Sequence, residues 1–270
     1  MEETRKYSLS MSGPGKAFDG IICECEDLEI LPLTYKTDWY NLESVLNSGK
    51  LPCERCNVFD EELGYFFYGR PAYKIAQNIG NRKDNVYFPV CFLLNPSNVS
   101  IYAVFPFDSG AYADGRYDDY LHKEMDINSF LLKSTIPYIK GFIKKFYGDN
   151  YKYYTGKTKP VNPSFNYSSE LNAYINLLTA KVSNKFDERS DTIEIISKIP
   201  VDLAKTVMAI VIPDDFLEVE RCKKKLVEMQ DLGIEIITYP IMGLSPEQYN
   251  GIISFTVLSY LKKKGVFEKG

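Results

Sequence analysis

The chain has 270 residues, 45% of them apolar, and a formal net charge of -4, enough to bury a substantial core as one large domain or two small ones. Its 32 basic residues are dispersed apart from short runs such as Lys223-Lys224-Lys225 and Lys262-Lys263-Lys264, so charge alone implies no tight nonspecific grip on a polyphosphate backbone. The stretch from Met1 to Lys6 lacks the apolar run of a secretory signal, and no window approaches a membrane span; cytoplasmic residence without a membrane partner is the expectation.

Six cysteines are too few for a disulfide scaffold, and reduced thiols are expected. Cys23 and Cys25 form a C-x-C, and Cys53 and Cys56 a C-x-x-C, with 27 residues between the pairs. Four thiolates would suit tetrahedral zinc. The pairs lack the doubled C-x-x-C pattern and Cys23 follows the apolar Ile21-Ile22, so free thiols are expected in place of zinc. Cys91 and Cys222 fall in strand and helix patterns that favour burial.

In chain order, residues 1–30 read as a leader, with a flexible stretch ending at Ser10-Met11-Ser12-Gly13-Pro14-Gly15. A single domain follows over 31–270, with an α/β extension from about 213. Leu33 to Thr37 make a strand; Asp38 is placed to cap a helix with Trp39, Leu42, Val45 and Leu46 on one face, and Gly49 to stop it. Leu63 to Tyr68 make an aromatic strand, and Pro71 opens a short helix from Ala72 to Asn78. Strands are expected over Val86 to Leu94 and Val99 to Phe105 around the turn cluster Asn95-Pro96-Ser97-Asn98. The loop from Phe105 to Tyr117 is rich in aromatic residues and glycine, a composition more often functional than idle.

Helices are expected over Ile127 to Leu132, Thr135 to Tyr147 and Ser169 to about Val182. The run from Tyr151 to Pro160 interleaves aromatic and basic residues, as a stacking groove for a single strand would, although a solvated connection is the simpler account. Strands over Asp191 to Ile196 and Val207 to Ile212 follow. A helix from Pro213 to about Leu232, a strand from Ile234 to Tyr239, and a last helix opened by Ser245-Pro246-Glu247 complete the chain. Strands and helices are interspersed without strict alternation, so the class is α+β.

The candidate chemistry is set by what is missing. The single histidine, His122, sits in a charged segment, which argues against a Ser-His-Asp or Cys-His device and against His-ligated catalytic zinc; there is no P-loop and no G-x-G-x-x-G after a strand. Carboxylates, hydroxyls, tyrosines and arginines remain. Glu194 stands out, because in Thr192-Ile193-Glu194-Ile195-Ile196 it projects from a β-branched ribbon on the side opposite Ile193 and Ile195. Such a carboxylate is either an edge solubiliser or a working group.

A strand bearing Tyr35-Lys36-Thr37, a helix ending in Ser48-Gly49-Lys50-Leu51, an aromatic strand from Tyr65 to Tyr68 and a late strand with Glu194 together resemble the ADP-ribosyltransferase fold, in its DarT-like group. The resemblance covers roughly 31–212 and implies split mixed or antiparallel sheets with flanking helices. It implies NAD as substrate, Thr37 in the place of the threonine of H-x-T with Tyr35 where histidine would stand, and Tyr65 or Tyr68 as the nicotinamide platform. It further implies Glu194 as the catalytic glutamate and the strand from Val207 as the return strand after it. A carboxylate near the ribose suits a cationic ribosyl species and needs no imidazole.

Around that set, Arg70 is a candidate for the pyrophosphate, while Lys36 points to the face opposite Tyr35 and Thr37. Phe107 and Tyr112 are candidates to close over a ligand and Asp108 or Arg116 to orient it. Arg189 and Asp191 flank Glu194. The expected activity is NAD-dependent ADP-ribosyl transfer or NAD hydrolysis, with a role in toxicity or phage conflict implied by the DarT-like resemblance; the acceptor is open among nucleobase, protein, small molecule and water. The alternatives are a nucleotide-binding module that does not cleave and a nucleic-acid-interacting protein. Catalysis requires Glu194 and Thr37 to share an open cleft; a Glu194 that is buried and paired would retire the enzyme reading, and the two side chains on unconnected surfaces would leave only the mixed α+β architecture.

Overall fold

The computed structural model describes residues 4–10, 14–72, 87–180, 188–244 and 248–267. The helix expected from Ala72 to Asn78, apart from Ala72, and the start signal Ser245-Pro246-Glu247 lie outside them. The fold is mixed α/β. Its strands are β1 (Leu33–Asp38), β2 (Lys50–Leu51), β3 (Glu54–Arg55), β4 (Glu62–Tyr68), β5 (Pro89–Leu94), β6 (Ala103–Phe105), β7 (Glu194–Ser197), β8 (Val201–Asp202), β9 (Val207–Pro213) and β10 (Glu235–Tyr239). Seven of them form one sheet in the order β10-β9-β5-β1-β4-β7-β6, with β3 attached to β4, and β2 pairs with β8 in a separate two-stranded sheet. Within the seven, only β9 and β10 run parallel.

Local signals explain the elements that surround β1. Asp38 Oδ1 accepts from Asn41 N–H at 3.0 Å and starts helix α1 (Trp39–Ser48), and Gly49, at φ +67°, closes it with its N–H on Val45 O. Strand β5 is buried at all six positions, as befits an apolar run in the sheet interior, and Pro89 occupies its first position, where a missing N–H costs least.

The sheet is weakest between β1 and β4. β1 pairs with β5 along all six residues, from Leu33 with Leu94 to Asp38 with Pro89, but with β4 only through Leu33 with Tyr68 and Thr34 with Phe67. Beyond Thr34 the two strands part. At the opposite, paired end Gly69 N–H still bonds Pro32 O at 2.8 Å; its φ is +80° and a Cβ there would come within 2.6 Å of Leu31 Cδ1, so this position requires glycine.

Several expectations are corrected. Residues 4–10 and 14–30 are packed chain, not a loose leader: Tyr7 N–H bonds Val58 O at 2.8 Å, and Phe18, fully buried, meets Phe142, Phe146 and Tyr174 edge-on with centroids 5.6, 6.2 and 5.3 Å away. Gly141 of helix α3 (Ile136–Phe146) lets this segment approach, since a Cβ there would sit 1.9 Å from Cys23 O. The strand expected from Val99 is regular only from Ala103 to Phe105, and the helix expected from Ile127 is a single 3-10 turn, Ile127–Phe130. β9 is not the neighbour of β7; it lies between β5 and β10. Past 213 the chain continues the same sheet through β10, and helix α5 (Tyr249–Lys263) packs on β5, β9 and β10.

Candidate functional site

A cleft of about 460 Å³ opens where β1 and β4 separate, within the usual size of small-molecule sites. Its floor is Thr34 and Lys36 from β1 and Tyr65 and Phe67 from β4; Glu54, Arg55 and Cys56 form one wall and Asp108 and Arg189 the other. Register explains the floor. Thr34 pairs with Phe67, and Phe67 with Glu194, so these side chains share one face of the sheet, and period 2 adds Lys36 and Tyr65.

The polar groups of that face are held in place. Thr34 Oγ1 bonds Phe67 O at 3.2 Å and Arg70 O at 3.1 Å. Lys36 Nζ donates to Asn250 Oδ1 and to Ala72 O, the latter at 3.4 Å. Tyr65 Oη donates to Cys56 Sγ at 2.8 Å, which fixes the ring against the wall. Asp108 begins a short helix, α2 (Ser109–Ala113), by accepting from Ala111 N–H, and its Oδ2 takes Arg189 Nη1 at 2.8 Å; both residues are only 8% exposed. A buried ion pair of this kind costs little while both partners are present and much when one is removed.

Glu194 lies behind this wall and does not line the cleft. It is 2% exposed, and its Oε2 accepts from the Ser109 backbone N–H at 3.2 Å. Burial first, and the charge of Asp108 second, push its carboxyl well above the usual carboxylate range, against the opposing pull of Ser109 and Arg189. It is therefore a buried carboxyl that holds its proton more tightly than an exposed one, neither an edge solubiliser nor an exposed acid. Burial, followed by the charge of Glu194, likewise raises the Tyr65 hydroxyl far above its ordinary value.

The sequence-derived set is divided by the sheet. Thr37 pairs with Val90 and Tyr35 with Phe92, on the face opposite Glu194. The Tyr35 ring packs on Phe66 and Phe92 at 5.9 and 6.2 Å, and burial raises its hydroxyl to about 12. Tyr35 is nonetheless among the residues that line the cleft. Tyr68 is fully buried, with its Oη accepting from Leu31 N–H at 3.1 Å. Arg70 does not reach the cleft. Its Nε donates to Thr192 Oγ1 at 2.7 Å, it is ion-paired with Asp191, and it lies 5.7 Å over the Tyr153 ring, tying the end of β4 to the start of β7.

Phe107 and Tyr112 are core, not lid. Their rings stack at 5.6 Å, both lie against Phe130, and both are at most 1% exposed. Arg116 is exposed, with its N–H on Ala111 O at 3.0 Å, and lines no part of the cleft. Of that loop, Asp108 alone reaches it. The run from Tyr151 opens as a short helix, α4 (Asn150–Tyr154), with Tyr153 and Tyr154 buried, so those two rings are not presented to a strand.

Cys25 N–H bonds Pro137 O at 3.0 Å, whereas Cys53 Sγ lies on Ser197 O at 3.7 Å, so the two cysteine pairs attach to different elements. All six cysteines are free thiols, and Cys91 and Cys222 are buried. Among the described residues, no group of three or more His, Cys, Asp or Glu is placed to hold a metal ion, and no helix is long and apolar enough to cross a membrane.

Sequence reasoning missed Phe67, Thr34 and the cleft side of Lys36. The signal was available: Tyr65 and Tyr68 are three apart and cannot share a strand face, whereas Tyr65 and Phe67 must. No protein-family model matches this chain, and no curated protein matches it.

Proposed function

We propose that the cleft between β1 and β4 binds a nucleotide of the NAD class and holds it without cleaving it through Glu194. The supporting observation is the floor itself, where Tyr65 and Phe67 offer aromatic surface for a base while Lys36 and Arg55 place positive charge beside it for phosphate. The parting of β1 from β4 supports reading the sheet as ADP-ribosyltransferase-like. Glu194 is sealed and Thr37 faces the other way, which favours the binding module over the enzyme.

Turnover is the second reading: the burial of Glu194 counts against it, and the Asp108 carboxyl on the cleft wall beside Glu194 is the observation that favours it. Incubation with NAD separates the two. Saturable binding with no nicotinamide released supports the module. Release that disappears in Glu194→Gln supports ADP-ribosyl transfer or NAD hydrolysis, and absence of binding removes both.

A further inference from the structure

Residues 4–10 join the supports of the two cleft walls. Tyr7 N–H bonds Val58 O at 2.8 Å, and Arg5 N–H, two residues earlier, bonds Ala113 O at 3.1 Å. Val58 belongs to the turn that follows the Glu54 to Cys56 wall, where its own N–H lies on Cys56 Sγ at 3.4 Å. Ala113 is the last residue of α2, the helix that Asp108 of the other wall begins.

Side chains hold the arm in place. Arg5, Tyr7 and Leu9 are half-buried while Lys6, Ser8 and Ser10 are exposed, the period of an extended chain lying on a surface. Arg5 is ion-paired with Asp118, donates from Nη1 to Lys123 O at 3.3 Å and lies 5.9 Å over the Tyr112 ring, against which the Tyr7 ring also packs, with centroids 5.9 Å apart. Asn128 Nδ2 donates to Ser8 O at 2.9 Å and its Oδ1 accepts from Ser10 N–H at 2.8 Å. Phe59, in the same turn as Val58, stacks on Phe105 at 6.1 Å, and the arm adds a tie between the walls on the solvent side.

We propose that residues 4–10 are a strap that fixes the spacing of the cleft walls, with Arg5 and Tyr7 as positioning residues for the ligand. Walls already at their spacing cost a ligand less ordering on binding and release it more slowly. The effect of the strap on a ligand rests on the nucleotide reading; its hold on the walls does not.

Arg5→Glu, which sets like charge against Asp118, releases the strap, and Arg5→Glu with Asp118→Lys restores an ion pair of opposite polarity. Amide hydrogen exchange without ligand is expected to quicken in Arg5→Glu over both 54–61 and 108–113, with β5 still protected, and to recover in the double variant. Tyr7→Pro, which deletes the N–H given to Val58 along with the ring, is expected to act in the same way from the other wall. Unchanged exchange in either wall segment overturns the strap whether or not NAD binds. NAD affinity is expected to fall about tenfold in Arg5→Glu, or ~1.4 kcal/mol, and to return in the double variant. Quickened exchange with wild-type affinity overturns the positioning role, whereas a wild type that binds no NAD overturns the nucleotide reading and leaves exchange to decide the strap.

Discussion

Strand β1 has two unlike sides. Toward β5 it is paired along all six residues, Tyr35 beside Phe92 and Thr37 beside Val90; toward β4 it is paired for two, and past them opens the cleft floored by Thr34, Lys36, Tyr65 and Phe67. On the closed side the backbone groups are all used in pairing, and the Tyr35 ring packs on Phe92. The open side leaves strand edge and aromatic surface accessible, and it is bordered by the buried Asp108 and Arg189 pair, which fixes the wall without filling the space. A ligand site arises in this sheet where pairing stops, and the residues that matter are those whose side chains project on the cleft face.

That contrast predicts a separation of stability from binding. On the closed side, Phe92→Ala is expected to cost about 3–5 kcal/mol in urea unfolding, since the ring is fully buried, while the remaining folded protein keeps its nucleotide affinity. Arg189→Ala is expected to cost about 3 kcal/mol or more by leaving Asp108 buried and unpaired, and to weaken the nucleotide as well; loss of either effect alone would mean that the wall and the site are separate. Phe67→Ala on the half-buried floor is expected to lower affinity about tenfold, in line with a stacking contribution of ~1–3 kcal/mol per base, at a smaller cost in stability than Phe92→Ala.

Glu194 provides a pH signature. Burial raises its folded-state pKa above the unfolded value, so its folded form keeps a proton that the unfolded chain releases. The contribution is complete below the ordinary carboxylate range and is lost as pH rises toward the folded pKa. Glu194→Gln cannot ionise, so it is expected to match the wild type near about pH 4 and to exceed it at higher pH, by at most about 1.4 kcal/mol per pH unit in that window. Parallel stability profiles for the two proteins would show that Glu194 is ionised in the fold.

Much of the frame was legible in the sequence. Asp38, the apolar spacing from Trp39 to Leu46, and Gly49 specify α1 within a residue or two, because capping and periodicity are local. Glu194 was legible as unusual, but not as buried: its fate depends on Ser109 and Asp108, some 85 residues earlier, and no local pattern encodes that contact. Tyr35 and Thr37 were assigned to the site although their odd positions on β1 place them with Leu33, while Thr34 sets the cleft face. The packing of Phe18 was hidden for a different reason, since a Gly-rich and Pro-containing stretch reads as loose until Gly141 is seen to admit it.

The most direct test is titration of NAD into the wild type, Thr37→Val and Phe67→Ala. Affinity unchanged in Thr37→Val and reduced about tenfold in Phe67→Ala is the result expected if the ligand lies on the Thr34, Lys36, Tyr65 and Phe67 face. Affinity lost in Thr37→Val and kept in Phe67→Ala would place the nucleotide on the opposite side of the sheet and contradict the account.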